Sequence, residues 1–124
     1  MAVQQRGGTV GMWPWFLQRV TGLALLFFLG VHMYVTHFGG VGILTFSDVA
    51  GRFHSSPNFW TWFDGLFLII AVFHGLNGVR TIIYDFRPNP IAKILTNISL
   101  WIIGLATAIG GLIILAPYTR SGAG

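Results

Sequence analysis

The chain has 124 residues, 54% of them apolar and 8% charged, with a mean hydropathy of +0.73. A water-soluble domain carries about 25% charged residues, so the composition excludes one and points to a single integral membrane domain over residues 1–124. Seven Lys and Arg against three Asp leave a net charge of +4, which here reads as membrane topology and contact with lipid head groups and not as nucleic-acid binding.

Cys is absent, which excludes a disulfide, a thiolate metal site or an iron–sulfur cluster built from this chain alone. Residues 1–12 are rich in Gly and Gln and read as a tail on the membrane surface. Met12-Trp13-Pro14-Trp15-Phe16 follows as an interfacial anchor, with Pro14 in a first helical turn where its missing N–H costs little. The first membrane span is expected over 15–38, with Arg19 near its start, placed to snorkel to the interface. A cleavable signal peptide is not expected, because this apolar run is too long for one.

Residues 39–57 form the first connection, in which a short surface helix is expected over 44–53. Asp48 and His54 read there as ordinary loop residues. Phe59-Trp60-Thr61-Trp62-Phe63 is a second aromatic belt, opening a span expected over 58–84. Asp85-Phe86-Arg87-Pro88-Asn89-Pro90 predicts a tight turn, since two Pro resist helix continuation. The third span is expected over 91–116, closed by Pro117-Tyr118-Thr119-Arg120.

Gly104, Ala108 and Gly111 recur at the small-residue spacing that lets membrane helices approach closely, as do Ala71, Gly75 and Gly78. With three spans, the N-terminal tail and the second connection share a side, which holds Arg6, Arg19, Arg80, Arg87 and Lys93. The other side holds Arg52 and Arg120. The positive-inside rule puts the N-terminus in the cytoplasm or matrix and the C-terminus outside.

The chemistry concentrates in Phe73-His74-Gly75-Leu76-Asn77-Gly78-Val79-Arg80, closing with Asp85. Polar groups inside a membrane are costly, so each is a candidate functional residue. Gly78 stands one turn from His74 on the same face, where a larger side chain would collide with a flat macrocycle ligated by His74. Asp85 returns to nearly that azimuth about 16 Å further along, a candidate proton acceptor at the interface. Arg80 lies between them in depth and suits an anionic group such as a haem propionate. A hydrogen bond from His74 to a neighbouring helix is the plain alternative.

His32 is the second candidate ligand, and its depth differs from that of His74 by about 10 Å. The two are therefore better placed for two stacked haems than for one iron, each haem completed by a partner chain. His37, at the outer end of the span, is a weaker rival. Arg19-Val20-Thr21-Gly22 offers a cation and a hydroxyl to a quinone carbonyl or a propionate, although an interfacial Arg is more often an anchor.

With these residues in view, the chain resembles the membrane-anchor (cytochrome b) subunits of complex II, the succinate:quinone oxidoreductases and related fumarate reductases, and among them the smaller, hydrophobic anchor type. Arg19-Val20-Thr21-Gly22, His32, and His74-Gly75-Leu76-Asn77-Gly78-Val79-Arg80 followed by Asp85 carry the resemblance, across about residues 13–117 of the 124. It implies an all-α fold of three transmembrane helices that packs with a second anchor chain into a helical bundle. It also implies axial ligation of haem b by His74 and, where two haems are present, of the second by His32.

The resemblance further implies a quinone site bordered by Arg19 and Asp85, with Trp15 beside them, next to the iron–sulfur subunit. Some members have Ser where this chain has Trp15, and His where it has Gln18. Others have Asp-Tyr where it has Asp85-Phe86, so part of the quinone's hydrogen bonding is expected from other subunits.

The resulting expectation is a non-catalytic, multi-pass subunit of the inner (cytoplasmic) membrane. It would pass electrons from succinate, by way of a flavoprotein and an iron–sulfur subunit, to quinone. The rival is a cofactor-free structural anchor in which both His are interhelical hydrogen-bond partners. A small transporter subunit would instead require a broken helix, for which Gly75 to Gly78 is the candidate segment.

Overall fold

The computed structural model describes residues 11–38, 45–55 and 57–120, and these are helical apart from short connections. Helix α1 (Met12–Met33) continues into one π-helical stretch, Tyr34–Phe38. A short α2 (Phe46–Ser55) precedes two long helices, α3 (Pro57–Asp85) and α4 (Pro90–Arg120). The Gly-rich segment 39–42 and the tail with Arg6 lie outside the described residues.

Among the described residues, three stretches are long and apolar enough to cross a membrane: Met12–Phe38, Asn58–Asp85 and Pro90–Pro117, of 27, 28 and 28 residues. At about 1.5 Å per residue each exceeds the hydrocarbon thickness of about 30 Å, so their ends reach the head groups. Helices are the expected answer, because lipid satisfies no backbone N–H or C=O and the segment must do so itself. The chain is an all-helical, multi-pass membrane protein.

Helix α3 is the centre, with α1, α2 and α4 all packed against it. The α3–α4 seam uses small residues. A side chain at Gly104 would come within 2.7 Å of Leu76 Cδ1, and one at Gly111 would run into Leu68. At Gly75, by contrast, nothing lies within 4 Å, so this glycine is not a contact between helices of this chain.

Local signals set the helix ends. Trp15 N–H donates to the Gly11 carbonyl at 3.2 Å as the first rung of α1, so Pro14 withholds no bond. The turn after α3 places Arg87 at φ 52°, a left-handed position more often filled by Gly. Asn89 then caps α4, its Oδ1 accepting from Ala92 N–H at 2.8 Å ahead of Pro90 in the first turn. Helix α4 takes in Pro117 and runs to Arg120, the last residue of the stretch expected to close the span. A Pro this close to a helix end forfeits little of the ladder.

Helix α2 begins with a capping box. Thr45 N–H and Oγ1–H both donate to Asp48 Oδ2, at 2.7 and 2.6 Å, and Asp48 N–H returns to Thr45 Oγ1 at 3.4 Å. These bonds, from the Thr45 side chain first and its backbone second, hold the Asp48 carboxyl below the usual carboxylate range. Because the folded-state value is depressed, the stabilisation is complete above the ordinary carboxylate value. It is lost as pH falls through the lowered one. Hydrogen-exchange protection of α2 is therefore expected to fall in acid for the native chain. In Thr45→Ala it should already be low at neutral pH, with little further change in acid.

Among the described residues, Phe53 at 5% exposure is the one buried apolar side chain, and large apolar residues lie open along all three long helices. The surface of the bundle is thus made for lipid and for other chains.

Candidate functional site

His74 points from α3 at α1, into a seat made by Gln18, Thr21 and Gly22. Its Nδ1 lies 3.1 Å from Thr21 Oγ1. The Thr21 hydroxyl has one proton, and the Leu17 carbonyl takes it at 2.6 Å. Oγ1 therefore accepts from His74 Nδ1–H, which leaves Nε2 with the unshared pair. Gly22 supplies the room: a Cβ there would sit 3.3 Å from His74 Cε1. Thr21 and Gly22 of the Arg19-Val20-Thr21-Gly22 stretch thus serve His74.

Gln18 links the seat to the α3 backbone. Its Nε2 donates to the His74 carbonyl at 3.1 Å and lies 3.4 Å from His74 Nε2. Its Oε1 accepts from Asn77 Nδ2 at 2.8 Å, and Asn77, 8% exposed, also reaches the Pro14 carbonyl at 3.2 Å. The Gly78 notch is filled from within the chain, because a Cβ there would meet Gln18 Nε2 at 3.2 Å. Helix α3 runs unbroken through Gly75 to Gly78, so the broken-helix segment required by a transporter reading does not form there.

The other expected residues spread over different faces and depths. Arg19 is exposed, and its guanidinium stacks 4.3 Å over the Trp15 ring, so those two are brought together. Asp85 is exposed at the last residue of α3. Asn77 is level with Pro14, so Asp85 extends past the start of α1, and Arg19 and Asp85 are separated by about 20 Å along the bundle. Arg80 is turned about 240° around α3 from His74. It lines a cavity of about 280 Å³ between α3 and α4 with Asn77, Asn97, Trp101 and Gly104. The structure thus does not bring Arg80 to the His74 ring.

His32 occupies the other end of the same α1–α3 seam, packed against Phe67 with ring centroids 5.5 Å apart. It lies eleven residues beyond Thr21, hence about 16 Å from the level of His74 and deeper than the sequence count implied. Its Nδ1 lies 3.8 Å from Asp64 Oδ1, and Asp64 Oδ2 accepts from Arg52 of α2 at 2.9 Å. His37 is exposed in the π-helical stretch. No cluster of three or more His, Cys, Asp or Glu forms among the described residues, and the two His stand as single candidate ligands.

The model of the succinate dehydrogenase/fumarate reductase transmembrane subunit family matches residues 3–114. The chain belongs to this family. It is 41% identical over 106 residues to the succinate dehydrogenase hydrophobic membrane anchor subunit of Thermoplasma acidophilum, covering 85% of each chain. It is 34% identical over 98 residues to the succinate dehydrogenase 2 membrane subunit SdhC of Mycobacterium tuberculosis, covering 78% of this chain and 68% of that one. A hydrophobic membrane anchor subunit from Archaeoglobus fulgidus is 34% identical over 71 residues, 57% of this chain and 59% of its own. No solved structure matches the chain. As a membrane anchor of succinate dehydrogenase/fumarate reductase type, it works within a complex of several subunits.

Several residues of this anchor show their partners only in three dimensions. Asp64 is an acid within a membrane span, and that signal alone marks it. Gln18 and Asn77, amides on two different spans, were open to the same inference. The role of Gly22 depends on which ring lies opposite and has no local signature.

Proposed function

We propose that this chain is the haem-b-binding anchor of a succinate:quinone oxidoreductase. It sits in the cytoplasmic membrane with its N-terminus inside, beside a second anchor chain, an iron–sulfur subunit and a flavoprotein subunit. The observation that carries the reading is the Thr21–His74 bond, which holds Nδ1–H within the chain and leaves Nε2 as the basic nitrogen. A histidine that ligates a metal through one nitrogen is commonly anchored through the other in this way. His74 would hold such a haem from this chain, and a residue of a partner chain would supply the other ligand.

A b-type haem, when bound, supplies a one-electron relay at a potential set by its ligands and surroundings. The chain's residues do the rest. His74 and His32, about 16 Å apart in depth, present one ligand each to separate haems. Trp15 and Arg19, stacked at 4.3 Å, offer an aromatic face and a cation to the quinone ring and its carbonyl. Asp85, at the end of α3 that extends past α1, handles protons at the surface met by the iron–sulfur subunit.

The contact of Gln18 with His74 Nε2 at 3.4 Å favours the rival, a cofactor-free anchor in which His74 only ties α3 to α1. Reduced-minus-oxidised spectra of the purified complex separate the two. Wild type should show b-type bands, His74→Ala should lose one, and His32→Ala should lose the other. A wild-type complex with no haem band would establish the cofactor-free anchor instead.

A further inference from the structure

We propose that Asp64 is a positioning residue for His32: its carboxylate holds the Nδ1 side of the imidazole and turns Nε2 out of the chain toward a haem. This rests on the proposed role of His32 as the second ligand.

The geometry begins with the carboxylate. Asp64 lies within the span Asn58–Asp85, with its side chain 15% exposed, where an unpaired charge is costly. Its two oxygens are divided between two partners on different helices. Oδ2 accepts from Arg52 at 2.9 Å, and Arg52 is itself 14% exposed, with its guanidinium 5.0 Å from the Trp60 ring centroid and 5.3 Å from that of Phe53. The cation thus fixes the carboxylate from the α2 side. Oδ1 is directed at His32 Nδ1, 3.8 Å away.

Both of those atoms are buried, and neither has a hydrogen-bond partner among the described residues. The two face each other at 3.8 Å, an ion-pair approach longer than a hydrogen bond. The His32 side chain is nevertheless 35% exposed. With Nδ1 buried, the exposed part of the ring is its other edge, which carries Nε2. Phe67 packs against the ring and limits its rotation. The Thr36 hydroxyl donates to the His32 carbonyl at 2.7 Å, where the helix changes from α to π.

His32 is like His74 in one respect, that its Nδ1 faces an oxygen on the neighbouring helix. His74 Nδ1 meets a neutral hydroxyl at 3.1 Å, whereas His32 Nδ1 faces a carboxylate at 3.8 Å. A carboxylate partner raises the basicity of the ligating nitrogen and stabilises the oxidised iron. The haem on His32 then has the lower potential for its surroundings, and loss of the carboxylate raises it.

The test uses the purified complex, with redox titration and low-temperature EPR of each b-type haem. Wild type and His32→Ala first establish whether a His32-dependent haem exists; its absence removes the reading on which this inference rests and overturns both. Given that haem, Asp64→Asn keeps an acceptor for Arg52 and removes the charge at Nδ1. The expected result is an upward shift of the His32-dependent midpoint potential and changed g-values of its low-spin signal, with the His74-dependent haem unaltered. Asp64→Glu should return both toward wild type.

A shift in potential with unaltered g-values would show a through-space charge effect and overturn the positioning role, as would no change at all. If Asp64→Asn binds no second haem, Asp64→Glu decides: recovery supports the role, and failure to recover overturns it.

Discussion

Thr21→Val should strip the proposed haem site of its anchor while leaving the helices in place. Valine keeps the size and branching of threonine but cannot accept from His74 Nδ1–H, which Thr21 Oγ1 contacts at 3.1 Å. A part-buried donor left without a partner costs about 1–3 kcal/mol, and the ring can escape that cost by turning away. Loss of such a supporting group typically weakens metal binding by about 10–100-fold, so the purified complex should retain far less of the His74-dependent haem. Haem content per complex and the midpoint potential of what remains are the readouts. Thr21→Ser, which restores the hydroxyl, should recover both. Wild-type haem content and potential in Thr21→Val would show that the hydroxyl does not govern the ligand.

The second large effect belongs to the other seam. Gly111→Ala places a methyl group against Leu68, whose Cδ1 and Cγ are both 3.4 Å from the added Cβ and whose Cδ2 is nearer still. Overpacking of this kind costs about 1–3 kcal/mol, and the thermal midpoint of the detergent-solubilised complex should fall accordingly. Gly110→Ala is the natural control, since nothing of this chain lies within 4 Å of a Cβ there. Destabilisation by Gly111→Ala alone places the sensitive contact in the α3–α4 seam. Equal losses in both would show that the outer face of α4 is covered by a neighbouring subunit.

The three long helices were legible because their cause is local: runs of apolar residues long enough to cross a bilayer, bounded by aromatic belts and by a turn with two prolines. The short surface helix expected over 44–53 appears at Phe46–Ser55, where Thr45 and Asp48 supply the cap. The small residues expected to serve helix contact do so at Gly104 and Gly111 but not at Gly75.

Pairing across helices was much less legible. Arg80 shares a short motif with His74, yet six residues of helix turn it to the α4 side. Gly78 looked like space for a ligand and instead receives Gln18. Arg52, counted as an outer basic residue, reaches back to Asp64 within a span. In each case the partner is decided by how two helices meet, and helical periodicity gives a residue's face without saying what lies opposite.

The open surface of the bundle also bears on how the assembly is made. With Phe53 as the one buried apolar side chain among the described residues, this protein has almost no interior of its own. Neighbours that bind these faces stabilise the folded chain by mass action. A copy synthesised in excess has only lipid to cover faces such as those bearing Leu23, Leu26 and Phe27 on α1 or Trp101 and Ile113 on α4. Which of these faces meet lipid and which meet protein is therefore set by the supply of the neighbouring subunits.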